Sequence, residues 1–206
     1  MAERPIFIPA PDSPELVKEL SMHLVWNPGF APVQKRKNVA ALHASSAKAG
    51  YAPLLEVSTK SEEKVGQRLS AVNLKVHSDR LGKMPLETAF QGSKVFARGG
   101  PYTDLYTVPE VRDAKRDWLY VTALYEHREW LRNHILRYAG FTDIEFNPER
   151  SINCQARSCA LLVTLMKNDW LDEAVGSPGA FIRLLSSRQY RPDHARSVGQ
   201  EAMFQP

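Results

Sequence analysis

The chain has 206 residues, 43% apolar and 24% charged, which suits one compact domain whose core needs no disulfides and makes a second full domain unlikely to fit. Its two cysteines, Cys154 and Cys159, lie in an apolar run without CxxC or ligand-spaced histidines, so they read as reduced core thiols rather than a disulfide framework or a zinc site. The formal net charge of +4 and the pI near 9.1 suit a polyanionic partner without establishing one.

The opening MAERPIFIPAP holds a short apolar run cut by Pro9 and Pro11, too broken for a signal peptide or a membrane span, and a cytoplasmic protein is expected. Residues 4–9 predict an edge strand, because proline is confined to strand margins, and residues 20–26 a second strand before the Asn27-Pro28-Gly29 turn. Residues 33–49 have helical spacing with a basic outer face, Lys35-Arg36-Lys37, and Gly50 stands where a left-handed residue ends a helix. APLLEVS, residues 52–58, predicts a strand, and Ser58 or Ser61 can cap a short helix over 64–69. LSAVNLKV, residues 69–76, is strand-like, and Ser78, Asp79 and Gly82 turn the chain.

Residues 85–98, PLETAFQGSKVFAR, predict the central helix, started by Pro85 at a position where its missing N–H costs nothing. On a 3.6-residue period Glu87, Gln91, Lys94 and Arg98 form one stripe, opposite Leu86, Ala89, Phe90, Ser93 and Ala97. An acid, an amide, an amine and a guanidinium on one face are either an ordinary solvated surface or one wall of a site. Gly99, Gly100 and Pro101 end the helix, and a glycine pair also lets backbone approach a phosphate closely.

Residues 109–117 predict a short charged helix carrying a second basic cluster, Arg112, Lys115 and Arg116, and residues 118–138 one or two core helices closed by Gly140. FTDIEFN, residues 141–147, alternates so that a strand would hold Asp143 and Glu145 on one side. Residues 151–166 predict a buried helix on which Asn153 and Arg157, one turn apart, are polar groups in need of partners. They face either a site or the helix's wet edge. Short helices over 170–174 and 179–185 precede a tail at 188–206, leaving residues 1–187 as the domain. The Walker, zincin, nucleophile-elbow and dinucleotide fingerprints are all missing from the sequence.

LSAVNL at 69–74, ETAFQGSKVF at 87–96 and FTDIEFNPERSINCQARS at 141–158 resemble the NADAR domain, above all its antitoxin branch paired with DarT-type DNA ADP-ribosyltransferases. The resemblance spans residues 54–166. Members carry a further aromatic-rich stretch between segments like DAKRD and WLYVTAL, which here abut at Asp117 and Trp118. The resemblance implies an α-rich α+β, YbiA-like fold with a small sheet flanked by helices, and hydrolysis of an N-glycosidic bond. The implied substrate is ADP-ribose on the guanine amino group of DNA, with ADP-ribose as product and a DarT-type toxin as cognate partner; no cofactor, metal or membrane is implied. The alternative is a binding module for ADP-ribose or an NAD derivative that neutralises the toxin by contact.

With that chemistry in view Glu87, Lys94 and Asp143 are the catalytic candidates. Glu87 would act as general acid or base, Lys94 as an amine that captures the anomeric carbon, and Asp143 as a carboxylate steadying ribose hydroxyls or developing positive charge. Substrate contacts fall to Ser70, Asn73, Gln91 and Arg98, to the backbone of Gly99 and Gly100, to Tyr102 as a stacking wall, and to Asn153 and Arg157.

Overall fold

A computed structural model describes residues 1–78, 82–92, 114–146 and 155–188, with six strands and eight helices among them, an α+β fold. Four strands form one mixed sheet in the order β2-β1-β6-β3: β1 is Ala2–Ala10, β2 Leu16–Leu24, β3 Leu54–Glu56 and β6 Gly140–Thr142. β1 pairs with β2 along its whole length and with β6 at Phe7–Phe141, so the segment expected at the edge is interior and β2 takes the edge. Pro5 and Pro9 fit because the contact with β6 is confined to Phe7, leaving the rest of that margin of β1 without a ladder to interrupt.

Period-two alternation along β1 divides the core. Ile6 joins Leu24, Leu54, Ile144 and the Val39 and Leu42 side chains of α1, Pro32–Lys48, on one face. Phe7 joins Leu55, Phe141 and the buried side chains of α6, Gln155–Lys167, on the other. Gly140 is needed where β6 meets β1, since a Cβ there would overlap Ile8 and crowd the Phe7 carbonyl; it begins a strand rather than merely closing a helix. α6 is buried from Ala156 to Met166, and its polar side chains are answered from outside. Ser158 Oγ donates to Asp117 at 2.5 Å, Thr164 Oγ1 donates to the Leu16 carbonyl at 2.7 Å, and Arg157 Nη1 donates to Glu19 at 3.0 Å.

The expected helices over 33–49 and 64–69 are α1 and α2, Lys64–Leu69; α1 ends before Gly50, whose φ is +87°. α2 is capped by Glu63 without a side-chain bond, not by Ser58 or Ser61, whose hydroxyl oxygens accept instead from the Lys60 and Glu63 N–H groups ahead of the helix. The expected division between a helix over 109–117 and a run over 118–138 does not hold: α4, Ala114–Tyr125, passes through it unbroken and α5, Arg128–Ile135, follows, while residues 109–113 lie outside the described residues. The chain also carries α7, Leu171–Gly176, and α8, Pro178–Ser186, whose Ser177 cap accepts from the Ala180 N–H at 3.1 Å.

LSAVNL is a turn, not a strand: the Ser70 carbonyl accepts from Asn73 N–H at 2.8 Å and from Leu74 N–H at 2.9 Å. A hairpin of β4, Lys75–Ser78, and β5, Gly82–Pro85, follows, so Pro85 ends a strand paired with Lys75, and α3 starts one residue later as Leu86–Gly92. The part of the expected central helix beyond Gly92 lies outside the described residues.

Candidate functional site

The first turn of a helix has N–H groups that need acceptors from elsewhere. In α3 the 70–74 turn supplies them: Leu86 N–H donates to the Leu74 carbonyl at 2.9 Å and Glu87 N–H to the Ala71 carbonyl at 3.0 Å. Ala71 is therefore a joint. Its own N–H donates to Gln155 Oε1 at 2.8 Å, and the Gln155 side chain hydrogen-bonds Asp143. The contact favours the ionised carboxyl, so it is the Gln155 amide NH2 that donates to Asp143. The backbone N–H of Glu87, in the first turn of α3, and the Asp143 carboxyl, just past the end of β6, are thus linked through Ala71 and the Gln155 side chain. Glu87 is half-buried and Asp143 is 9% exposed.

Asp143 does not share a face with Glu145, as a continued strand would require. β6 stops at Thr142, the Asp143 carboxyl accepts from Glu145 N–H at 3.0 Å, and this short turn buries Asp143 while leaving Glu145 exposed to pair with Lys35 of α1 at 3.4 Å. Burial, followed by the negative charge of Glu56, pushes the Asp143 carboxyl up to about 8, against donors from Gln155 and Glu145 that pull it down. It carries a proton at neutral pH.

Glu56 is a site residue that sequence reasoning did not single out. It is buried in β3 beside Thr142 of β6, and both its oxygens are engaged: Oε1 accepts from Ser58 Oγ at 2.6 Å and Ile144 N–H at 2.9 Å, Oε2 from Thr142 Oγ1 at 2.7 Å. Burial pushes its carboxyl up, offset by these three donors. Glu56 accepts three hydrogen bonds and Asp143 two, and the negative charge of Glu56 is among the causes that raise Asp143. With the Thr142 hydroxyl proton given to Glu56, His43 Nε2, 2.9 Å from that oxygen, must be the donor. Burial pushes His43 down to about 4, so it is a neutral imidazole. The signal in the sequence was a lone acid inside an otherwise apolar strand, LLEV.

Of the other expected contacts, Ser70 is buried at the end of α2 and its carbonyl anchors the 70–74 turn. The exposed Asn73 donates from Nδ2 to the Gln67 carbonyl at 2.7 Å, closing α2. Arg157 is buried and ties α6 to β2 through Glu19. Gln91 lies in the last turn of α3. Lys94, Arg98, Gly99, Gly100, Tyr102 and Asn153 lie outside the described residues, as does Cys154. Cys159 is a buried free thiol on α6, in contact with Tyr120 Oη at 3.2 Å. Among the described residues no cluster of His, Cys, Asp and Glu has the makings of a metal site, and no helix is long and apolar enough to cross a membrane.

A small mixed sheet with helices packed on it, and a buried acid pair at the C-terminal ends of its two parallel strands, define an α+β protein with an acid-centred candidate site. The family model that matches the chain is that of the DarT1-associated NADAR antitoxins, over residues 2–117 and 116–195. The chain belongs to that family, and is a NADAR antitoxin associated with a DarT1 toxin. The two matched stretches meet at 116–117, beside the Asp117–Trp118 junction where the sequence abuts. A search of curated proteins finds no match to the chain.

Proposed function

We propose that this antitoxin is a glycohydrolase that removes ADP-ribose from the guanine amino group of DNA and so reverses its toxin's modification. The observation that carries the reading is a proton-holding carboxyl, Asp143, tied through Gln155 and Ala71 to the backbone N–H of a second acidic residue, Glu87, at the start of α3. Two carboxyl groups in different environments divide acid and base work between them. A protonated Asp143 donates to a ribose or leaving-group atom rather than facing positive charge as an anion, which selects between the two roles open to it. Glu87 then serves as the base that takes a proton from the attacking nucleophile.

The bond to be broken joins an anomeric carbon to nitrogen. In the covalent route the ribose ring opens, its anomeric C–O bond breaking as the ring oxygen takes a proton, to leave an iminium to the guanine nitrogen. The Lys94 amine adds to that carbon, and the guanine amine leaves with a proton from an acid to give a lysine Schiff base. Water then adds to the resulting Schiff base and frees lysine and ADP-ribose. In the direct route water attacks an oxocarbenium-like centre, Glu87 takes its proton, and Lys94 contacts phosphate or ribose. Borohydride separates them: trapping of substrate on the wild type but not on Lys94→Ala selects the covalent route, and no trapping under turnover conditions selects the direct one.

The deciding experiment supplies guanine-ADP-ribosylated single-stranded DNA and follows release of unmodified DNA. Release by the wild type, lost by about a hundredfold or more in a folded Glu87→Ala protein, is the expected result for a group that transfers a proton. Tight ADP-ribose binding without release would instead make the protein a binding module that acts on its toxin by contact.

A further inference from the structure

We propose that Glu56 is the positioning residue of this site: from β3 it grips the residues on both sides of Asp143, and thereby fixes where the Asp143 carboxyl points and holds a second buried acid beside it. Thr142 gives Glu56 its hydroxyl at 2.7 Å and Ile144 gives it its backbone N–H at 2.9 Å. Asp143 lies between them at the point where β6 stops and the chain turns, so two bonds to one buried acid set the backbone on which Asp143 is carried. Glu56 is itself held. Ser58 donates to it at 2.6 Å while accepting from Lys60 N–H at 3.1 Å, and a Cβ on Gly66 of α2 would collide with the Glu56 carbonyl.

An acid 2% exposed in a strand is costly to keep there unless its charge is matched. No cation does this among its described hydrogen-bonding partners, which are two hydroxyls and one N–H. A hydrophobic residue would fill the same place between Leu55 and Val57 more cheaply, and retention of an acid is explained by what it does to its neighbour. The charge of Glu56 stands against ionisation of Asp143, and its oxygens hold the turn.

Other groups face Asp143 too. Glu145 on its own turn adds negative charge but is exposed and paired with Lys35 of α1. From α6 come the neutral Gln155 amide and the Cys159 thiol, which burial keeps protonated. From α1, neutral His43 reaches the pair only through Thr142, and from α3, Glu87 connects through the Ala71 carbonyl. Glu56 is the buried acid in this set besides Asp143 itself.

The catalytic half of the proposal rests on the glycohydrolase reading, so the test reads Asp143 directly as well as turnover. The Asp143 carboxyl is titrated by carbon NMR in the wild type, Glu56→Gln and Thr142→Val, and the pH profile of kcat on ADP-ribosylated single-stranded DNA is recorded beside it. Glu56→Gln removes the charge at constant size, and the Asp143 midpoint should fall by about one unit or more, with the alkaline limb of kcat moving by the same amount. Thr142→Val keeps the charge and cuts one grip. Its kcat should fall by about tenfold to a hundredfold, from misaligned groups, with KM and the Asp143 midpoint little changed.

An Asp143 midpoint unmoved in folded Glu56→Gln overturns the proposal, as does an undiminished kcat in Thr142→Val. The second variant decides alone if Glu56→Gln does not fold. A shifted midpoint in a protein whose wild type releases no ADP-ribose supports the coupling of Glu56 to Asp143 and sinks the glycohydrolase reading instead.

Discussion

Cys159 shows how burial assigns chemistry at a single residue. A cysteine is a nucleophile only as thiolate, and burial pushes this thiol up to about 12, with Asp143 nearby adding to the effect. It is packing, not a catalytic group. Native protein at pH 8 should leave Cys159 unmodified by iodoacetamide while denatured protein is alkylated there at once, as read by mass spectrometry of the peptide; rapid native labelling would mean that α6 opens. The sequence allowed this reading, since Cys159 falls in a run of apolar residues. It did not allow the reading of Glu56. A three-residue strand is too short for its pattern to say whether both faces are buried, and the partners Thr142 and Ile144 lie more than eighty positions away. Glu87 and Asp143 were legible as acids of interest, but their connection through Ala71 and Gln155 depends on a turn that strand-like LSAVNL conceals.

At the scale of elements, α1 is the one whose position gives its surface a use. Its inner side packs Val39 and Leu42 on the sheet, and Lys35 reaches Glu145 beside Asp143, so the exposed Arg36 and Lys37 stand on the helix that borders the site. No acidic residue offsets them in the helix's first turn. A single strand whose modified guanine entered at Asp143 would have its flanking phosphates within this field, and each neutralised phosphate releases counterions. Arg36→Glu with Lys37→Glu should therefore weaken DNA binding at low salt and flatten the dependence of log K on log salt by about 0.7 per lost contact. Free ADP-ribose binding should stay as it was. Equal weakening for both ligands in a titration would place the effect in the pocket and not along a strand. Helices such as α1 and α2 were legible within a residue or a few. The misreadings fell where long-range contacts overrule local preference: a proline-bearing β1 in the sheet interior, Pro85 in a hairpin, and Asp143 turned out of line.

For the molecule as a whole the buried acid is a cost that depends on pH. Asp143 has an ordinary value of 3.8 and about 8 when folded, so across that window the folded chain holds a proton that the unfolded chain has lost. The slope of unfolding free energy with pH is then negative. The stability associated with Asp143 is complete below its ordinary value and is lost as pH rises through about 8. His43 works in the other direction: its folded value of about 4 lies below its ordinary 6.5, so the unfolded chain binds the extra proton and stability rises with pH between those values. The two slopes oppose one another up to 6.5, and above it that of Asp143 stands without the opposition of His43. Urea denaturation of the wild type and Asp143→Asn at several pH values separates the terms, because the amide removes one ionisation and leaves His43 in place. The variant should gain stability relative to the wild type as pH rises from 6.5 to beyond 8, while releasing no ADP-ribose at any pH. A stability difference that stays constant with pH would mean that Asp143 titrates as an ordinary carboxyl, and would remove the proton that the proposed division of acid and base work assigns to it.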